Sequence, residues 1–208
     1  MRHTLENINT TRYNEVRLIT AGGAMFAAFP HWYATLFSGF YLPLFLILLA
    51  LIVRAVGFEF RSKMKEQWWR RTADQFIFWG SVLPAFLWGV ALTNIAIGLP
   101  IGEDMNFTGT LPALLNPYAL LGGLASLIMF TLHGAIFLSL RTTDELKNRV
   151  GKTAKMMWIP AGVILLSFAL LGYRHTVLFE ELGIIPGTLP MIAIVSFIAV
   201  IVFMNISR

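Results

Sequence analysis

The sequence predicts an all-α, polytopic membrane protein with six transmembrane helices in bundle packing, and three observations support this. Hydrophobic residues make up 57% of the 208 residues and charged residues only 13%, about half the charged share of a typical globular domain. The apolar residues form runs close to the roughly 20 helical residues that span a bilayer. Lys and Arg cluster between alternate runs, as the positive-inside rule requires of cytoplasmic loops.

The stretch 18–61 is too long for one crossing, so it is predicted to be a helical hairpin. Span one covers about 16–29. Pro30 interrupts the helix because proline has no N–H to donate and steers the preceding residue away from helical geometry. Trp32, which suits a membrane interface, follows at once. Span two covers about 32–56.

Polar loops separate four further spans. The loops 61–71 and 141–155 are basic, whereas 98–116 contains acidic residues and no Lys or Arg. Basic residues also occur in the polar segment 1–17, which lacks the apolar region of a signal peptide. We therefore expect one transmembrane domain over 1–208 with both termini cytoplasmic. The remaining predicted spans cover about 72–97, 117–140, 156–173 and 184–206.

Composition also excludes several classes of function. The chain has no cysteine, which rules out disulfides, thiolate metal sites and cysteine nucleophiles. The net charge of +5 is explained by the basic loops, so no nucleic-acid partner is expected. The partner that the composition requires is the lipid bilayer.

Charged residues at the junction of spans two and three are the first candidate site. Arg54 and Glu59 close span two, and Asp74 opens span three. Such residues commonly pair at helix ends or extend towards the membrane interface. The alternative is that they form the mouth of a proton path.

His133 is the second candidate, because it lies inside span four and ionisable groups within a membrane often have a function. A bis-histidine haem site would require a second histidine at membrane depth on a facing helix. The other histidines are predicted at the N-terminus or in loops, so we expect His133 to be a hydrogen-bonded packing residue. Asn94, in span three, is expected to form hydrogen bonds between helices.

Residue chemistry alone leads to a six-span helical membrane protein, for which an independent small transporter or channel is one possible function. Longer strings carry a resemblance to one family. They closely resemble subunit II of the cytochrome bd quinol oxidases and cover most of the chain from Asn14 to about Gly187. The matching stretches are 14–16, 18–34, 37–41, 54–63, 116–123, 133–135 and 140–142.

The resemblance implies two four-helix bundles plus one extra helix, paired as a heterodimer with a subunit I of homologous fold. Subunit I would carry haems b and d and the quinol site, and this chain would hold no cofactor or metal. The complex would oxidise quinol and reduce oxygen to water in the respiratory chain of a bacterial cell membrane. This chain would be structural, would not be catalytic alone, and would contribute to access paths for protons or oxygen. No catalytic residue is carried over to this sequence.

The sequence also departs from the family pattern. The family's first helix has no counterpart, and its Trp-Asp-Gly motif is replaced by Thr11-Arg12-Tyr13. Arg17 stands where the family has a tryptophan. We therefore expect a truncated or diverged member that lacks the acidic proton-path residue of that motif.

Overall fold

A computed structural model of the chain describes residues 16, 20–63, 66–102, 104, 107–142 and 144–176. These residues are helical apart from short connections and one isolated bridge between Ile101 and Phe107, which confirms the all-α class. Four of the described helices are long and apolar enough to cross a membrane. Of the other two predicted spans, 16–29 is described in part and 184–206 lies outside the described residues. The count of six spans and the single domain over 1–208 stay predictions.

The chain forms two compact units, and the first contains the described residues up to Tyr41 together with Pro100–Thr108. Residues 20–28 are helical, Phe29 is not, and helix α1 follows at Pro30–Gly39. Pro30 begins α1, where a missing N–H leaves no helical bond unmade. In the second segment the N–H and the hydroxyl of Thr108 both donate to the Pro100 carbonyl oxygen, each at 3.1 Å.

The predicted second span, 32–56, is divided in the structure. Its first residues belong to α1, and the long helix α2 occupies Tyr41–Phe60. Phe40 separates the two helices. Because Phe40 is itself apolar, the hydrophobic pattern does not mark this break. Pro43 is the third residue of α2, in the first turn, where a proline is tolerated.

The second unit contains Leu42–Leu99 and the described residues from Gly109 onwards. Besides α2 it comprises α3 (Gln67–Ile97), the short α4 (Leu111–Leu114), α5 (Pro117–Arg141) and α6 (Asp144–His175). Helices α3 and α6 begin inside stretches that were predicted to be loops, 61–71 and 141–155. Lys and Arg are good helix formers, so the helices continue past the apolar runs. The 32 residues of α6 extend about 48 Å, compared with a hydrocarbon core of about 30 Å.

The connection between α3 and α5 is defined by its end residues. Gly98 follows α3 with φ +99° and donates its N–H to the Asn94 carbonyl oxygen at 3.1 Å. Glycine adopts this positive φ without strain. Asn116 caps α5, because its side-chain oxygen accepts from the Ala119 N–H at 2.7 Å. Pro117 occupies the first turn, where a proline is favoured.

Small residues allow the long helices to pack closely. Helices α2 and α3 approach so closely at Gly80 that a Cβ atom added there would lie 2.6 Å from the Ala50 carbonyl oxygen. Helices α3 and α5 approach as closely at Gly89, where an added Cβ atom would lie 2.5 Å from the Gly122 carbonyl oxygen. Membrane helices associate through such close backbone approach because lipid leaves no hydrophobic drive between them. Along the chain α2, α3, α5 and α6 pack as successive antiparallel neighbours.

Candidate functional site

Asp74, a predicted site residue, pairs with a residue from the turn that precedes its helix. Arg61 donates from Nε to Asp74 Oδ1 at 2.6 Å and from Nη2 to Oδ2 at 3.4 Å. This bidentate hydrogen bond raises the pKa of Arg61 above its ordinary value. Both side chains are about half exposed, so water and salt screen the pair and it contributes little to stability.

The other two charged candidates also have local partners. Glu59 accepts from Lys63 Nζ at 2.8 Å, one helical turn away. The Arg54 guanidinium lies 5.5 Å from the centre of the Phe58 ring. Arg54, Glu59 and Asp74 therefore lie near the α2–α3 junction, each in a separate contact. Such local contacts are common for charged residues near helix ends. The alternative, that these residues form the mouth of a proton path, stays a prediction.

His133 lines a cavity between α5 and α6. The cavity has a volume of about 280 Å³ and is otherwise apolar apart from the indole of Trp158. This volume is slightly below the range of about 300–1,000 Å³ that is usual for ligand pockets. The lining residues are Met129, Leu132, His133, Ile136, Trp158, Ala161, Gly162 and Leu165.

Metal or haem ligation by His133 would depend on a second ligand close to it. Among the described residues of this unit the other histidine is His175, which stacks on Tyr118 at the far end of α5. Tyr118 and His133 are separated by 15 positions in the sequence, about 22 Å along the helix. No group of three or more His, Cys, Asp or Glu residues in the described ranges could hold a metal ion. The absence of a haem ligand in this chain stays a prediction.

Asn94 forms hydrogen bonds between segments, as predicted. Its side-chain nitrogen donates to the Leu114 carbonyl oxygen at 2.7 Å, and its side-chain oxygen accepts from Asn116 Nδ2 at 3.0 Å. Only 4% of Asn94 is exposed. One amide thus bonds to a buried carbonyl at the end of α4 and to a partly buried side chain at the start of α5, and it connects both to α3.

An aromatic stack that the sequence did not predict lies at the same end of the unit. The Tyr118 ring stacks on Phe168 and on His175, with ring centres 5.0 Å apart in both cases. Its hydroxyl donates to the Phe168 carbonyl oxygen at 3.3 Å. His175 was predicted to lie in a loop, but it is the last residue of α6. No local pattern marks this contact, because it depends on how α5 and α6 align.

Comparison with known proteins identifies the family. The family model described as cytochrome bd terminal oxidase subunit II matches residues 9–208. Cytochrome bd ubiquinol oxidase subunit 2 of Bacillus subtilis (strain 168) is 40% identical over 192 residues, which are 92% of this chain and 57% of that protein. Cytochrome bd-I ubiquinol oxidase subunit 2 of Escherichia coli (strain K12) is 45% identical over 163 residues, 76% of this chain and 42% of that protein.

The chain thus spans about half the length of these curated relatives. The family match nevertheless covers almost all of its residues, including the four long helices of the second unit. The chain is a multi-pass membrane protein that belongs to the cytochrome bd terminal oxidase subunit II family.

Proposed function

We propose that this chain is a supporting membrane subunit of a cytochrome bd-type quinol oxidase, which oxidises quinol and reduces oxygen to water in the respiratory chain. The observation that carries the proposal is the family match over residues 9–208. Its partner is a subunit I that holds haems b and d, and the two form a heterodimer in a bacterial cell membrane. The polar contacts of the second unit support a structural role, because Asn94 and Tyr118 are used to connect helices.

Co-purification tests this function directly. We expect the tagged chain, expressed together with a haem-bearing subunit I, to retain that subunit and to give reduced-minus-oxidised bands of haems b and d. The chain expressed alone should give none, and His133→Leu should leave the haem content of the complex unchanged. Stable assembly of the chain alone, never with such a partner, would contradict the proposal. Substrate flux through liposomes containing only this chain, lost in His133→Leu, would favour the transporter alternative.

The proposed topology places the basic end of the second unit in the cytoplasm. At that end α2 and α5 finish and α3 and α6 begin, close to Lys63 and Arg141. Both chain termini are placed on the same side of the membrane.

Cysteine labelling in sealed vesicles tests this topology without background, because the chain has no cysteine. We expect Lys63→Cys to react from the cytoplasmic side and His31→Cys from the opposite side. His175→Cys is the control, because it lies at the other end of the second unit from Lys63 and should also react from outside. Labelling of positions 31 and 63 from the same side would show that span one does not cross.

A further inference from the structure

The basic end of the second unit contains two groups of cations with different surroundings. Near the α2–α3 junction, Arg61 and Lys63 are each neutralised by a carboxylate, at 2.6 and 2.8 Å. A second group lies around the end of α5 and consists of Arg71, Arg141 and Lys155, all exposed. Within the described residues no ion pair reaches this second group.

Helical spacing places Arg71 beside the end of α5. Arg71 precedes Gly89 by 18 residues, which is five full turns, so both lie on one face of α3. Gly89 packs against Gly122 and Ser126 of α5. The two helices are antiparallel, so 18 residues towards the start of α3 correspond to 18 residues towards the end of α5. Counted from Gly122, this step reaches the last turn of α5, which ends at Arg141.

Lys155 approaches the same point from α6. It precedes Trp158 by three residues and Gly162 by seven, so it continues the stripe of α6 that lines the cavity with α5. Trp158 shares that cavity with Ile136 of α5, so Lys155 lies about one turn beyond this level, at the level of Ser139.

The depth of this group corresponds to lipid headgroups. From Lys155 to His175 there are 20 helical steps, about 30 Å, which is the thickness of the hydrocarbon core. Trp68, in the first turn of α3, is 59% exposed, as is typical of interfacial tryptophans. Leu140, beside Arg141, is 78% exposed and offers an apolar surface to acyl chains.

We propose that Arg71, Arg141 and Lys155 form a binding site for the phosphate of an anionic phospholipid at the end of α5. Guanidinium groups bind phosphate with paired N–H donors, and an ammonium adds a point charge. Among the carboxylates whose side chains the structure describes, none forms an ion pair with this group, and Asp74, one turn from Arg71, pairs with Arg61. Glu66 accepts from the Trp68 indole, and Glu145 precedes Lys155 by ten residues, about 15 Å along α6.

Native mass spectrometry of the full chain in detergent, as purified with whatever subunits it retains, tests this site. The probes are phosphatidylglycerol, cardiolipin, phosphatidylcholine and inorganic phosphate. We expect phosphatidylglycerol and cardiolipin to bind and the other two not to bind. The double variant Arg71→Gln/Lys155→Gln should weaken phosphatidylglycerol binding roughly 25-fold, about five-fold for each cation removed.

The matched control is Arg61→Gln/Lys63→Gln, which removes the same charge at the same end of the unit. We expect it to change binding less than two-fold, and the charge-retaining Arg71→Lys/Lys155→Arg to bind like the parent chain. If both glutamine variants lose phosphatidylglycerol binding equally, the binding reflects general attraction by net charge, and the proposed site is wrong. Binding unchanged in Arg71→Gln/Lys155→Gln, or equal binding of phosphatidylcholine, would overturn it too.

Discussion

The Gly89→Ala variant should lose about 3 kcal/mol of unfolding free energy, because overpacking a close contact between rigid backbones displaces one of them. The added Cβ atom would lie 2.5 Å from the Gly122 carbonyl oxygen and 2.8 Å from the Gly123 Cα. Neither atom belongs to a side chain that can rotate away, so α3 and α5 must separate. Titration of the purified chain from mild detergent into SDS, followed by circular dichroism, measures the loss.

Gly134→Ala is the matched control for this experiment. Gly134 also lies inside a long helix, α5, but among the described residues nothing lies within 4 Å of a Cβ atom added there. Alanine should stabilise this helix by up to about 1 kcal/mol through helix propensity alone. Unfolding of the two alanine variants at the same SDS fraction would show that the contact at Gly89 does not limit the approach of α3 to α5.

Asn94→Leu should destabilise the chain by about 2–3 kcal/mol, because it leaves two polar groups without their partner. Leucine preserves most of the volume but cannot donate to the Leu114 carbonyl oxygen or accept from Asn116 Nδ2. Leu114 is itself buried, with 3% exposed. The same SDS titration measures the effect. Thr131→Val is the control, because the Thr131 hydroxyl is exposed and donates to the Leu127 carbonyl oxygen within α5.

A double-mutant cycle isolates the contact between the two asparagines. Asn94→Ala and Asn116→Ala should be coupled by about 0.5–2 kcal/mol. Asn116→Ala alone should also cost about 1 kcal/mol, because its side chain caps α5. Strict additivity of the two substitutions would mean that the Asn94–Asn116 hydrogen bond does not stabilise the fold.

The sequence by itself determined the fold class and the four long described helices. These properties depend on local composition, because the length of an apolar run decides whether its helix can cross a bilayer. The proline at the start of α5 and the hydrogen-bonding role of Asn94 were predictable for a similar reason. Pro117 can only begin a helix comfortably, and a buried amide in an apolar helix must find partners. The family match followed from a long string of identities and needed no geometry.

Only the tertiary structure decided where the helices end and which residues meet. Helices α3 and α6 extend into basic stretches, because backbone hydrogen bonding is insensitive to the polarity change that marks a membrane boundary. Helix α2 starts after Phe40, at a break that no change in hydropathy marks. The contacts of Gly89 with Gly122, Asn94 with Asn116 and Tyr118 with His175 join residues 22 to 57 positions apart. Such pairs depend on the alignment of one helix against another, and that alignment results from packing over the whole interface rather than from any local pattern.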